Sequence, residues 1–153
     1  MRILGTGIDI VQISAIAGVL ARRGMRFPQK ILHITELDDF DEFYAKDPPR
    51  ALQFLASRHT PLPLLPPPAF PHLWFVLCDR FALKEATYKA LQPAASLFWK
   101  DIAVTRKFHQ KPTFIMTPKM MQVHKDLRIA GTHVSLSHDG DYAIASVMFE
   151  HHD

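Results

Sequence analysis

Three short stretches of the chain carry side chains that could act together. Glu85 and Lys89 stand four apart in residues 80–91, Arg-Phe-Ala-Leu-Lys-Glu-Ala-Thr-Tyr-Lys-Ala-Leu, which hold neither Gly nor Pro. That composition predicts a helix, with the acid and the ammonium one turn apart on one face in the order that favours an ion pair. On its own such a pair usually decorates a solvated face. Asp9 lies in residues 5–11, Gly-Thr-Gly-Ile-Asp-Ile-Val, which read as an apolar strand. A carboxylate there is costly if buried without a partner, and it equally suits the N-cap of a helix that follows. Ser137 and His138 close residues 134–139, Val-Ser-Leu-Ser-His-Asp, where a histidine beside a turn is more often structural than catalytic.

These three segments, in this order, resemble the acyl-carrier-protein synthase family, the small phosphopantetheinyl transferases. The resemblance extends from Met1 to Glu150 apart from one interruption. It implies an α+β fold of the small 4'-phosphopantetheinyl transferase type, an antiparallel sheet packed against a long central helix. It also implies transfer of the 4'-phosphopantetheine arm of coenzyme A to a serine of apo acyl carrier protein, leaving adenosine 3',5'-bisphosphate, as in fatty acid biosynthesis.

By the same resemblance Asp9 and Glu85 are Mg²⁺ ligands, and Glu85 and Lys89 are the catalytic pair. Arg50, Arg80, Lys89, Ser137 and His138 then hold coenzyme A, with Arg58 taking the place of Arg80 if the interruption is removed. The serine proton goes to Glu85 or to a metal-bound water. Arg22, Arg23, Arg26 and Phe27 become the contacts for the acidic carrier, and a homotrimer is expected. Two departures from the family pattern stand out: Ala15 replaces an Arg in the first helix, and Gln12 replaces a Glu shortly before it.

The elements needed to position these groups follow in order. Residues 2–11 form a strand whose glycines at 5 and 7 admit a close backbone or ligand. Residues 13–23 form an Ala- and Leu-rich helix ending in two arginines, which complement its dipole whatever else they do. Thr35-Glu36-Leu37-Asp38 reads as a capping box opening an acidic helix to about Tyr44, with Asp38, Asp39, Asp41 and Glu42 a solvated face. Residues 50–58 resume a helical pattern, and Gln92-Pro93 stops the central helix. Strands are expected over 99–104 and 111–116, with His109-Gln110 near their turn, then a helix from Pro118 to about Ile129. Strands over 132–137 and 142–149 are joined by His138-Asp139-Gly140-Asp141, a hairpin signal. His151-His152 at the tail is assigned no metal.

Composition bounds the alternatives. The chain has 153 residues, 48% of them apolar, enough for one domain with a core. A net charge of +3 and a pI of about 9.1 suit an anionic ligand or an acidic partner. No nucleic-acid reader motif and no membrane span is visible. The single cysteine, Cys78, excludes an intrachain disulfide and fits a reducing compartment. With no targeting segment visible, cytoplasm or mitochondrial matrix is the expected location, the second as in mitochondrial-type eukaryotic members of the family.

The interruption is a Pro-rich insert at about 59–79 within this single domain. It holds six of the chain's twelve prolines, and no Asp, Glu, Lys or Arg occurs from 60 to 78. Proline forbids helix or central strand through 61–71. Residues 73–77 form an apolar run that is an aggregation liability if exposed. Removing 59–80 restores Phe-Leu-Ala-Ser-Arg-Phe-Ala-Leu-Lys-Glu-Ala, with Leu52, Leu55, Phe81, Tyr88 and Leu91 on one helical face. The insert is either a late loop insertion or a translated short intron, the second being favoured. Because it falls in the helix carrying Glu85 and Lys89, a catalytically impaired product of the same gene is one rival reading. A non-enzymatic basic module gripping an acidic partner through residues 22–26 is the other.

Overall fold

The computed structural model describes residues 2–38, 71–105 and 111–152, with the side chains of 21 and 71–75 left aside. Arg50, Arg58, the prolines of 61–68, the acidic helix beyond 38 and the His109-Gln110 turn lie outside the described residues.

Strand β1 (Arg2–Gln12) pairs antiparallel with β5 (Tyr142–His151), which pairs antiparallel with β4 (Ile129–Asp139), so the three-stranded sheet has the order β1-β5-β4. Alternation along β5 sends Ala143, Ala145, Val147 and Phe149 inward, all fully buried. Helix α3 (Pro71–Leu91) crosses this inner face and touches β1 and β5 along its length.

Small residues set that contact. Ala82, Ala86 and Ala90 repeat every four positions on α3, all buried, and face the glycines of β1. A Cβ at Gly5 would collide with the carbonyl oxygen of Ala90, and one at Gly7 with that of Ala86. The glycine pair therefore admits the backbone of α3, and Asp9, two residues on and on the same strand face, is brought beside the helix.

Helix α1 (Ile13–Arg23) follows β1 directly, and Gln12 at its N-cap makes no side-chain cap. The free amides are met from the far hairpin instead: Ser14 N–H donates to Asp141 Oδ1 at 3.0 Å and Ile13 N–H to the Asp141 carbonyl at 2.8 Å. The cap is thus Asp141, not Asp9. Gly24 ends α1 with φ 54°, a left-handed value glycine adopts without strain. The six-residue α2 (Arg26–Ile31) comes next.

Several expected boundaries shift. The box expected at 35–38 forms two residues earlier: residues 34–38 are helical, and the His33 N–H donates to Glu36 Oε2 at 2.7 Å. Glu36 is drawn inward because Lys84 holds its carboxylate in the core. Pro71, expected to exclude helix, opens α3, where the first turn needs no proline N–H. From there α3 runs unbroken through Glu85 and Lys89, and Leu77 and Cys78 at the end of the insert are fully buried. Tyr88, expected on the apolar face, is exposed.

Residues 99–101 form a 3₁₀ turn rather than strand, since Asp101 Oδ2 accepts the Phe98 N–H at 2.7 Å. The strand proper is β2 (Ala103–Thr105), which pairs with β3 (Thr113–Ile115) in a separate two-stranded sheet. Helix α4 (Pro118–Asp126) is capped by Thr117 and stops short of Ile129, which already belongs to β4.

Candidate functional site

Where β1 touches α3, Asp9 meets Glu85 and Lys89. Lys89 Nζ lies 2.7 Å from Asp9 Oδ1 and donates to the Ile8 carbonyl at 3.2 Å. Partial burial raises the pKa of Glu85 above its ordinary range, the Asp9 charge raises it further, and Lys89 acts the other way. Among the described residues, two carboxylates beside one ammonium form a site short of positive charge. A divalent cation would supply it. Among the described residues no group of three or more His, Cys, Asp or Glu could hold a metal by itself. Two carboxylates nevertheless fit Mg²⁺, which takes its remaining oxygens from phosphate and water.

On the other edge strand, where β4 places it opposite Ala143 of β5 while Asp9 is opposite Ala145, His138 Nε2 sits 2.5 Å from Asp79 Oδ1 on α3. The preceding Ser137 alternates onto the opposite, exposed face of β4, so the two expected coenzyme A contacts are not brought together within one chain. Arg80, expected with them, is buried, with Nε 3.5 Å from Glu36 Oε1. Cys78 beside it is no nucleophile: burial first, then the Asp79 and Asp141 charges, push its thiol up to about 12.

Arg22, Arg23, Arg26 and Phe27 do converge. They line one surface groove of about 580 Å³ with Gly24 and with Lys30, which the sequence reading passed over. The signal for Lys30 was present: in a helix it falls four residues after Arg26. Among the described residues no acid lines the groove. Phe27 turns toward α3, its ring centroid 6.2 Å from that of Phe81, which in turn lies 4.9 Å from Trp99.

Sequence reasoning also missed the partnership of Glu36 and Lys84. Lys84 Nζ donates to Glu36 Oε2 at 2.6 Å, to the Ile31 carbonyl at 2.7 Å and to the Trp99 carbonyl at 3.0 Å. Glu36 Oε1 accepts the Val104 N–H at 3.0 Å. Burial pulls Lys84 below its ordinary pKa, and Glu36 opposes the shift. Its position could have been found, because Lys84 lies midway between Leu77 and Leu91 at heptad spacing, on a stripe that reads as core.

An antiparallel sheet ridden by one long helix, with acids and a lysine meeting at their contact, defines a small α+β protein with a charged cluster at the helix–sheet seam. Comparison with known proteins narrows that class. The profile of the 4'-phosphopantetheinyl transferase superfamily matches residues 5–147. A holo-[acyl-carrier-protein] synthase of Bacillus pumilus is 35% identical over 150 residues, covering 97% of this chain and 96% of its own. In structure, the holo-ACP synthase of Plasmodium yoelii matches with TM-score 0.69 at 20% identity, covering 99% of this chain and 98% of that one. The Bacillus anthracis enzyme in complex with coenzyme A (3',5'-ADP) matches with TM-score 0.64 at 23% identity, covering 99% of this chain and all, 100%, of its own. The chain belongs to the 4'-phosphopantetheinyl transferase superfamily.

Proposed function

We propose that this chain is a holo-[acyl-carrier-protein] synthase that moves the 4'-phosphopantetheine arm of coenzyme A onto a serine of apo acyl carrier protein. The observation that carries the reading is the convergence of Asp9, Glu85 and Lys89, in a chain whose relatives bear that name. In the reaction the serine oxygen bonds to the phosphorus that bears pantetheine, and the bridging P–O bond to adenosine 3',5'-bisphosphate breaks. The serine proton passes to Glu85 or to a water that Glu85 orients. Lys89 gives the phosphate oxygens an ammonium and, in the resting site, neutralises Asp9. Asp9 and Glu85 would hold Mg²⁺, which supplies charge neutralisation of the diphosphate.

Coenzyme A is bound by the Bacillus anthracis relative, and we assign its nucleotide end here to His138 and Ser137, with Arg50 and Arg80 adding positive charge. The groove of Arg22, Arg23, Arg26, Phe27 and Lys30 receives the acidic carrier, its lining offering cations and one aromatic ring. A second copy of the chain suits the outer face of the sheet, where Ile8, Ile10, Tyr142 and Ile144 are exposed. That packing supports a homotrimer, and it gives Ser137, on the same outer face, a neighbour's surface to work against. Among the described residues no helix is long and apolar enough to cross a membrane. We read the whole chain as one domain carrying an insert at about 59–79, working in fatty acid biosynthesis in the cytoplasm or the mitochondrial matrix.

The test is an intact-mass assay of apo acyl carrier protein with coenzyme A, Mg²⁺ and two forms of the chain, as written and with residues 59–80 removed. Addition of the arm by both forms supports the reading and makes the insert a tolerated loop. Addition only by the shortened form keeps the family activity and assigns the written chain to an impaired product. No addition to any of several carriers overturns the transferase reading.

A further inference from the structure

The fully buried ammonium of Lys84 binds three different segments, and none of them belongs to the Asp9–Glu85–Lys89 site. Its acceptors are the last residue of α2, the carboxylate of the 34–38 turn, and the 3₁₀ turn at Trp99. Each is a backbone or carboxylate oxygen within 3.0 Å, so the three protons of the ammonium are all used. Glu36 is saturated in the same way, by Lys84, by the His33 N–H and by the Val104 N–H.

Helix α2 needs such an anchor. It is six residues long and has no side-chain N-cap, too short to hold itself in water. Yet it carries Arg26, Phe27 and Lys30, half the lining of the basic groove. Two contacts tie it to α3: the Ile31 carbonyl on Lys84, and the Phe27 ring on Phe81, three residues earlier. Lys84 is also the immediate neighbour of Glu85. A shift of α2 would therefore pull Arg26, Phe27 and Lys30 out of register with Arg22 and Arg23, and so weaken the groove's hold on a carrier that meets both halves.

We infer that Lys84 with Glu36 is a positioning clamp, which holds the α2 side of the basic groove in register with the Glu85-bearing helix and so sets where the carrier protein docks. The inference rests on the proposed reading of the groove as the carrier's surface. Lys84 touches neither coenzyme A nor the reacting atoms in this account. It acts through α2.

The clamp is tested by replacing both charges together, Lys84→Met with Glu36→Gln, so that neither member of the pair is left buried without the other, while the amide oxygen remains an acceptor for Arg80 and the Val104 N–H. The expected result is a folded protein whose KM for the carrier rises about tenfold, while its kcat stays within about twofold. An unchanged carrier KM, or a loss confined to kcat, overturns the clamp. Arg26→Ala and Lys30→Ala run beside it. If they leave the carrier KM unchanged, the groove reading itself has failed and the clamp falls with it, whereas a raised KM in these and not in the double variant removes the clamp alone.

Should the double variant not fold, hydrogen exchange of the unaltered protein decides. Amides of residues 29–32 exchanging together with those of α3 around Lys84 support the clamp, and α2 amides opening far faster, on their own, overturn it.

Discussion

Lys84 and Glu85 are neighbours on α3, and each faces a carboxylate, yet their surroundings differ in kind. Lys84 meets Glu36 in full burial, and every polar hydrogen and carboxylate oxygen of that pair has a partner. Glu85 meets Asp9, a like charge, at a partly open contact where the lone ammonium is 48% exposed. The first arrangement minimises its own electrostatic energy and has nothing left to offer a ligand. The second is left underneutralised, the condition under which a bound cation or phosphate gains most. One helix thus carries a structural ion pair and a reactive cluster side by side, told apart by saturation and exposure rather than by residue type.

The contrast breaks most visibly at Lys84. Lys84→Ala alone leaves the buried Glu36 carboxylate without its ammonium partner, with Arg80 Nε 3.5 Å from the other oxygen as the cation that remains, and should cost about 3 kcal/mol of stability, read from chemical denaturation. A loss below about 1 kcal/mol would mean that the pair is not the anchor described here.

Glu85→Gln should do the reverse, lowering transfer about 10²–10³-fold with the fold intact. Its effect on melting is also signed. The pKa of Glu85 lies above its ordinary 4.5, so in metal-free protein its contribution is favourable below that pH and is lost as pH rises through the folded value. Glutamine cannot ionise and escapes the loss. The variant should melt with the parent near about pH 4 and slightly above it near about pH 7.5; an earlier melt at the higher pH would show that Glu85 stabilises the fold after all.

Gly7→Ala sharpens the comparison by separating position from chemistry. The new methyl collides with the Ala86 carbonyl, so β1 must retreat from α3 at a cost of about 1–3 kcal/mol, and Asp9 retreats with it. Stability and transfer should fall together, unlike Glu85→Gln, where only transfer falls. Thermal melts and initial rates on one preparation would separate the two patterns.

The smallest effect concerns His124, on α4 against the ring of Phe149. Burial lowers its pKa from the ordinary 6.5, so the folded protein prefers the neutral ring and loses stability as pH falls below about that value. His124→Leu should flatten this part of the stability profile without touching transfer. An unchanged slope between about pH 5 and 7 would assign the dependence to another group.

Much of this was legible beforehand for local reasons. Helix α1 begins and ends where the apolar period and the Arg22-Arg23-Gly24 signal predict, because amphipathic period and a glycine C-cap are written into neighbouring residues. The β4–β5 hairpin follows from its Asp-Gly turn in the same way, although pairing extends both strands past the predicted limits. Glu85 and Lys89 could be placed on one helix face from their spacing alone.

What joins distant residues could not be read so. Gly5 and Gly7 announced a close approach without saying of what, and the answer, the Ala-lined face of α3 some eighty positions away, depends on packing. Asp141 caps α1 from the opposite end of the chain, which relieved Asp9 of the role its type suggested. Glu36 looked like an interior member of a capping box, and Lys84 like one more helix-favouring lysine. Their burial together follows from a meeting of α2, the 34–38 turn and the 3₁₀ turn around one ammonium. A carboxylate's surroundings are set by the segments that close over it, and those lie far off along the chain.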